Sequence, residues 1–309
     1  MIIRTKDFHL SATVESGQIF RFRLEQDGYR ILHAEKEFIV RQAGSRLYVH
    51  GIRRRFLEHF FRLDEDHAAL QRRIWDPILD PAIRLYNGLR ILRQDPWECS
   101  IAFLCSQMSN ITRIRRNMEF FAREFGTRKN SKFFSFPKQT SFDLKKLGKA
   151  NLGYRASYIS QASGLLNEHL FRTLRTLPYS EAKARLIDVP GIGEKVADCI
   201  LLYSLEKTEA FPVDVWIKRV MEELYFGGKP TSEKRIREFA QSYWGKDAGY
   251  AQQYLFHWRR MLGKEKQMQT NPFTLPTPGR RREMVSEACE VPEENVGERS
   301  KHQIGAIRT

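Results

Sequence analysis

The chain has 309 residues, with 52 Lys and Arg against 37 Asp and Glu, a formal net charge of +15. Its 41% hydrophobic and 12% aromatic content fits one or two globular domains around a sizeable core, large enough for an enzyme. The longest apolar runs, such as Ile200-Leu201-Leu202-Tyr203, are far too short to cross a bilayer, and the charge favours a polyanion, nucleic acid ahead of an anionic membrane surface.

The first residues show no basic segment followed by an apolar core and a small-residue cleavage site, so an intracellular protein is expected. That means cytoplasmic and nucleoid-associated in a prokaryote, nuclear in a eukaryote. Cys99, Cys105, Cys199 and Cys289 form no C-x-x-C pair, so no metal or other cofactor is expected.

From residue 7 to about residue 50 the pattern is strand-like. Phe20 and Phe22 alternate with Arg21 and Arg23, Gly28 marks a turn, and Phe38-Ile39-Val40 and Leu47-Tyr48-Val49 follow, which predicts an antiparallel meander. Residues 54–74 turn helical, and helical periodicity continues past Asp76-Pro77 and Asp80-Pro81. Residues 97–125 form a helical tract with a polar turn near Ser106 to Asn110. The fold class is α+β: an N-terminal antiparallel β-rich domain over residues 1–88, a mainly α-helical domain over 89–267, and a disordered tail over 268–309. The tail's six basic and six acidic residues cancel, so the positive excess lies on residues 1–267.

Residues 180–187 predict a short helix capped by Ser180; Val189-Pro190-Gly191-Ile192-Gly193 and a second helix over about 194–205 follow. This is a helix-hairpin-helix. Gly191 and Gly193 remove side chains from the turn, letting backbone N–H groups approach a phosphate. Lys195 sits in the first turn of the second helix, and Cys199 lies four residues on, along the same face. The helix dipole disfavours a cation there and favours the neutral, nucleophilic amine, although Asp198 equally offers Lys195 a plain surface ion pair. Asp214 stands at the N-cap of an amphipathic helix marked by Ile217, Val220, Met221 and Leu224, where capping alone would account for it.

The run Val189-Pro190-Gly191-Ile192-Gly193-Glu194-Lys195-Val196-Ala197-Asp198-Cys199, followed by Pro212-Val213-Asp214-Val215, resembles the helix-hairpin-helix DNA glycosylases, and more narrowly the 8-oxoguanine glycosylases. Ser16-Gly17-Gln18-Ile19-Phe20, Asp95-Pro96-Trp97-Glu98-Cys99, Asn110-Ile111-Thr112-Arg113, Leu152-Gly153-Tyr154-Arg155 and Ala251-Gln252-Gln253-Tyr254-Leu255-Phe256 extend the resemblance over about residues 16–258. It implies a bifunctional glycosylase and abasic-site lyase that flips 8-oxoguanine, preferentially opposite cytosine, out of double-stranded DNA. Lys195 would attack C1′, expel the base and form a Schiff base before β-elimination, while Asp214 stabilises charge on the sugar.

By the same resemblance Gly17 offers its carbonyl to the N7–H of the oxidised base, Cys199 and Phe256 sandwich that base, and Gln252 meets its Watson–Crick edge. Tyr154 is the wedge, Arg155 and Arg113 read the opposite cytosine, and Asn110, Gly191 and Gly193 contact DNA. Two positions depart from the family: Met108-Ser109 replace asparagines, and Trp216 replaces a histidine, leaving an indole N–H for the DNA backbone. A monomer with no membrane partner is expected. A glycosylase for alkylated purines would keep Asp214 without needing Lys195, and a non-enzymatic hairpin module would need no such register of lysine, cysteine and aspartate.

Overall fold

The computed structural model describes residues 1–130 and 133–270, with side chains as far as residue 263. Its N-terminal half-buried segments close into one antiparallel sheet: β1 (Ile2–Arg4), β2 (Phe22–Glu25), β3 (Gly28–His33), β4 (Lys36–Ala43) and β5 (Arg46–His50), in spatial order β1-β5-β4-β3-β2. The register sets Ile31 opposite Phe38 and Val40 opposite Val49, so one face carries an apolar ladder into the core. Two elements escape the sequence pattern. β1 is only three residues long and pairs with β5. The helix α1 (Leu10–Glu15), capped by the His9 ring, occupies part of the stretch read as strands; six residues are too few to display a helical period.

The remaining helices are α2 (Arg54–Phe60), α3 (His67–Ile74), α4 (Asp80–Leu85), α5 (Pro96–Cys105), α6 (Ile111–Phe125), α7 (Leu144–Leu147), α8 (Arg155–Leu165), α9 (Glu168–Thr176), α10 (Tyr179–Ile187), α11 (Glu194–Ser204), α12 (Val215–Leu224), α13 (Glu233–Trp244) and α14 (Ala248–Thr270). The polar turn at 106–110 separates α5 from α6, with Asn110 capping the latter. Ser180 is not a cap: α10 begins at Tyr179 behind Pro178, whose fixed φ already directs the chain into the helix.

Two apolar cores result. The smaller gathers Ile31, Phe38, Phe60, Phe61 and Leu92 beneath the sheet. The larger runs through the helices, including Ile101, Leu104, Leu201, Phe211 and Tyr254. Leu70 and Ile74 of α3 and Ala82 of α4 belong to the larger core, although both helices precede residue 88. Gln18 sits where the cores meet: its amide donates to the carbonyls of Thr13 and Arg90, its side-chain oxygen accepts Leu92 N–H at 2.7 Å, and its carbonyl accepts Gln94. The loop bearing Gly17 is thereby pinned to the helical domain.

α14 continues to Thr270, and residues 271–309, most of the segment read as a tail, lie outside the described residues. Among the described residues no helix is long and apolar enough to cross a membrane.

Candidate active site

The hairpin joins α10 to α11. Gly191 has φ +83, and a Cβ there would lie 2.5 Å from the Cβ of Tyr158, so the left-handed turn and the packing on α8 both demand glycine. Gly193 is the N-cap of α11 and is exposed; it supplies no side-chain acceptor. The first N–H groups of α11 are thus left uncapped at the positive end of the helix dipole, the arrangement that binds phosphate.

Lys195, half-buried in that first turn, does not pair with Asp198. Its Nζ donates to Ser106 Oγ at 3.0 Å and lies 5.3 Å from the centroid of the Phe103 ring. The Ser106 hydroxyl donates in turn to the Phe103 carbonyl at 2.7 Å, which turns an oxygen lone pair towards the amine. Asp198 is completely buried and accepts from the Tyr179 hydroxyl at 2.6 Å and from Lys183 at 3.0 Å. Sequence inspection did not single out Ser106; its signal was its place in the polar turn ahead of the Asn110 cap.

Cys199 is buried one turn beyond Lys195. Burial pushes its thiol up to about 12, the Lys195 amine pulling the other way and Asp214 adding to the rise. Asp214 caps α12 by accepting Ile217 N–H at 2.8 Å. Burial raises its carboxyl above the usual carboxylate range, opposed by that N–H and by the charge of Lys195. Amine, thiol and carboxylate therefore lie near enough for the charge of Lys195 to act on both of the others. The capping bond fixes the carboxylate in place, so capping and a catalytic role do not exclude one another.

Gly17 closes another wall. Its φ is +85, and a Cβ there would come within 3.1 Å of Phe256 Cε1 and 3.2 Å of Arg260 Nη1, so the first domain touches α14 at the proposed base-stacking ring. Gln253, also unremarked in the sequence, secures this contact by donating to the Ser16 carbonyl at 3.0 Å and accepting the Tyr203 hydroxyl at 2.5 Å. Gln252 is buried, with its amide donating to the Pro212 carbonyl at 3.2 Å, so meeting a base edge requires that bond to exchange.

The rim is aromatic and basic. Tyr154 is 52% exposed and meets Tyr158 edge-on at 6.0 Å; Trp216, beside Asp214, is 49% exposed. Asn110, exposed, accepts Arg113 N–H at 2.9 Å, and the Arg113 guanidinium donates to the Asn151 carbonyl at 2.6 Å. These residues and Arg116 line an open cleft of about 420 Å³.

Arg155, expected to read the opposite base, is held by backbone carbonyls. Only 4% exposed, it donates to the carbonyls of Gln107 at 2.6 Å, Met108 at 2.7 Å and Leu152 at 3.0 Å. It braces the α5–α6 turn from within. Met108, which it holds, is 88% exposed with φ +44. Gln107 extends the brace by donating to the Gly191 carbonyl at 3.0 Å. Among the described residues no group of three or more His, Cys, Asp or Glu is placed to hold a metal ion.

Residues 1–99 match the family model for the 8-oxoguanine DNA glycosylase N-terminal domain, and residues 101–246 match that for HhH-GPD superfamily base excision DNA repair proteins. A probable N-glycosylase/DNA lyase of Methanothermobacter thermautotrophicus is 33% identical over 234 residues, 67% of this chain and 75% of the relative. The structure of MBOgg1 in complex with low affinity DNA ligand superposes with a TM-score of 0.80 at 34% identity, covering 85% of this chain and 96% of the other. The Clostridium acetobutylicum 8-oxoguanine glycosylase/lyase in complex with double-stranded DNA containing cytosine opposite 8-oxoguanine gives 0.78 at 29% identity, covering 85% and 98%. With both of its domains matched, and with the hairpin carrying the amine beside the Asp214 carboxylate, the chain belongs to the HhH-GPD superfamily of base excision DNA repair proteins and, within it, to the 8-oxoguanine DNA glycosylases.

Proposed function

We propose that Lys195 and Asp214 carry the chemistry of this chain, an N-glycosylase and DNA lyase that removes 8-oxoguanine from DNA. The supporting observation is that the Lys195 amine, one helical turn before the buried Cys199, is held by the Ser106 hydroxyl at 3.0 Å, with the capping Asp214 carboxylate near enough to feel its charge. In this reading Lys195, Cys199 and Asp214 serve as nucleophile, wall of the base pocket and counter-charge. The neutral amine attacks C1′ of the everted nucleotide, the C1′–N9 bond breaks, and its electron pair leaves with the base. Asp214 stabilises the positive charge that builds on the sugar and takes the proton released by the amine. Ring opening gives a Schiff base between Lys195 and C1′; loss of a C2′ proton then expels the 3′ phosphate and nicks the strand.

Gly17, Cys199, Phe256 and Gln252 form the base pocket in this reading, with the Gly17 carbonyl selecting the N7–H of the oxidised base. Tyr154 is the wedge, Arg113 reads an opposite cytosine from the cleft it lines, and Gly191, Gly193, Asn110 and Trp216 meet the DNA backbone. A monomer is sufficient, since every one of these residues comes from one chain.

The test is borohydride trapping on a duplex carrying 8-oxoguanine opposite cytosine, with Lys195→Gln alongside. A covalent complex with wild-type protein and none with the variant is expected. Base release without any trapped complex would remove the lyase step, and faster release of an alkylated purine would overturn the substrate.

A further inference from the structure

Behind the nucleophile lies a charged cluster to which neither the chemistry nor the DNA rim assigns a role. Lys183 of α10 is buried, and its Nζ lies 2.6 Å from Glu194 Oε2 and 3.0 Å from the Asp198 carboxylate. It also donates to the Tyr179 hydroxyl at 3.2 Å, and that hydroxyl donates to Asp198 at 2.6 Å. Arg237 of α13 reaches Glu194 at 3.3 Å. Glu194 and Asp198 are four residues apart and form one stripe of α11; Lys195 and Cys199 are the next residue after each, about 100° further round the helix.

We infer that Lys183 is a positioning residue for the reaction: by clamping Glu194 and Asp198 against α10 it fixes the roll of α11, and hence where the Lys195 amine and the Cys199 thiol point. The inference rests on Lys195 being the nucleophile. Its physical ground is that a buried ion pair is a poor device for stability, because desolvation offsets most of the attraction and apolar residues of similar volume serve as well; fixing register is its best-attested use. Here the pair sits where register matters, since a 1 Å misplacement of a reacting group can cost about a hundredfold in rate. Burial raises the Asp198 carboxyl to about 6, with Lys183, Tyr179 and Arg237 all opposing the rise. Removing Lys183 takes away the partner that opposes this rise most strongly.

The test uses the full chain as wild type, Lys183→Met, Lys183→Arg and Lys195→Gln. Borohydride trapping is followed in single turnover at saturating 8-oxoguanine–cytosine duplex, and affinity is read on a duplex with a tetrahydrofuran abasic analogue. Lys183→Met is expected to trap about tenfold more slowly or worse, with affinity within about twofold and Lys183→Arg recovering most of the rate. Should Lys183→Met fold poorly, Lys183→Met/Asp198→Asn removes the buried charge imbalance and is expected to stay slow, because the tie to Glu194 is still missing. Wild-type trapping by either methionine variant, a rate loss matched by lost affinity, or no rescue by arginine would overturn the clamp. Trapping by Lys195→Gln at the wild-type rate would instead overturn the nucleophile and with it the clamp.

Discussion

Ser106 accepts a hydrogen bond from Lys195 at 3.0 Å while giving its own proton to the Phe103 carbonyl at 2.7 Å. The amine is therefore held by a neutral oxygen, and in the proposed reaction this hydrogen bond is the contact that aims it. Ser106→Ala removes this acceptor and should slow base excision roughly fivefold, the equivalent of about 1 kcal/mol, in single-turnover assays. Duplex affinity should stay unchanged. An unaltered excision rate would show that Phe103 and the pocket walls suffice to aim the amine.

In the proposed reaction the Asp214 carboxyl, raised by burial, acts as the ionised form. Excision should fall as pH drops through its folded pKa, and the acid limb of the rate profile should lie above the ordinary carboxyl value of about 4. Stability runs the other way. A folded pKa above the unfolded one means that the folded state binds the proton more tightly, so this group's contribution improves as pH falls and is least favourable at neutral pH. Asp214→Asn keeps a capping oxygen and should abolish excision while matching or raising Tm at neutral pH. Any gain should vanish at acidic pH, where wild-type Asp214 is protonated. A clear loss of Tm at neutral pH would contradict the burial argument.

Gly17→Ala places a Cβ 3.1 Å from Phe256 at φ +85, a left-handed conformation that costs a side chain roughly 1–2 kcal/mol. Excision of 8-oxoguanine should fall about tenfold or more as the stacking ring is displaced. Cleavage of a preformed abasic site, which has no base to seat, should persist. Equal losses on both substrates would place the defect outside the base pocket.

Substitution of Arg155 and of Arg113 is expected to separate a brace of the fold from a reader of the opposite base. Arg155→Gln strips three carbonyls of their donor, at about 1–3 kcal/mol for each buried group left unpaired. It should lower Tm by several degrees without changing the ratio of excision opposite cytosine to excision opposite adenine. Arg113→Gln, at an exposed position, should change that ratio and leave Tm alone. A selectivity change in Arg155→Gln without loss of stability would return it to the role of base reader.

What the sequence made legible was local. The spacing of Lys195 and Cys199 along one helix, the capping position of Asp214 and the glycines of the hairpin all depend on neighbours a few residues away. What escaped was set by distant chain. Lys183 meets Glu194 and Asp198 only because α10 folds back on α11, and nothing near Asp198 in sequence distinguishes that partner from Lys195. Nothing around Arg155 in sequence marks it as buried, and its burial follows from the α5–α6 turn closing over it. Gln253 differs from Gln252 by one position on α14, yet it reaches the Gly17 loop 237 residues away. α1 was hidden by its brevity, and α3 and α4 joined the larger core because tertiary packing does not follow a boundary drawn on composition.

The most direct test of the account is the identity of the modified amine. After borohydride reduction on 8-oxoguanine DNA and digestion of both components with trypsin and nuclease, the sugar remnant should map to Lys195. It should lie within a peptide spanning residues 186–207 in which cleavage after Lys195 is blocked. A remnant on another lysine or on the terminal amine, with Lys195 cleaved normally, would contradict the assignment.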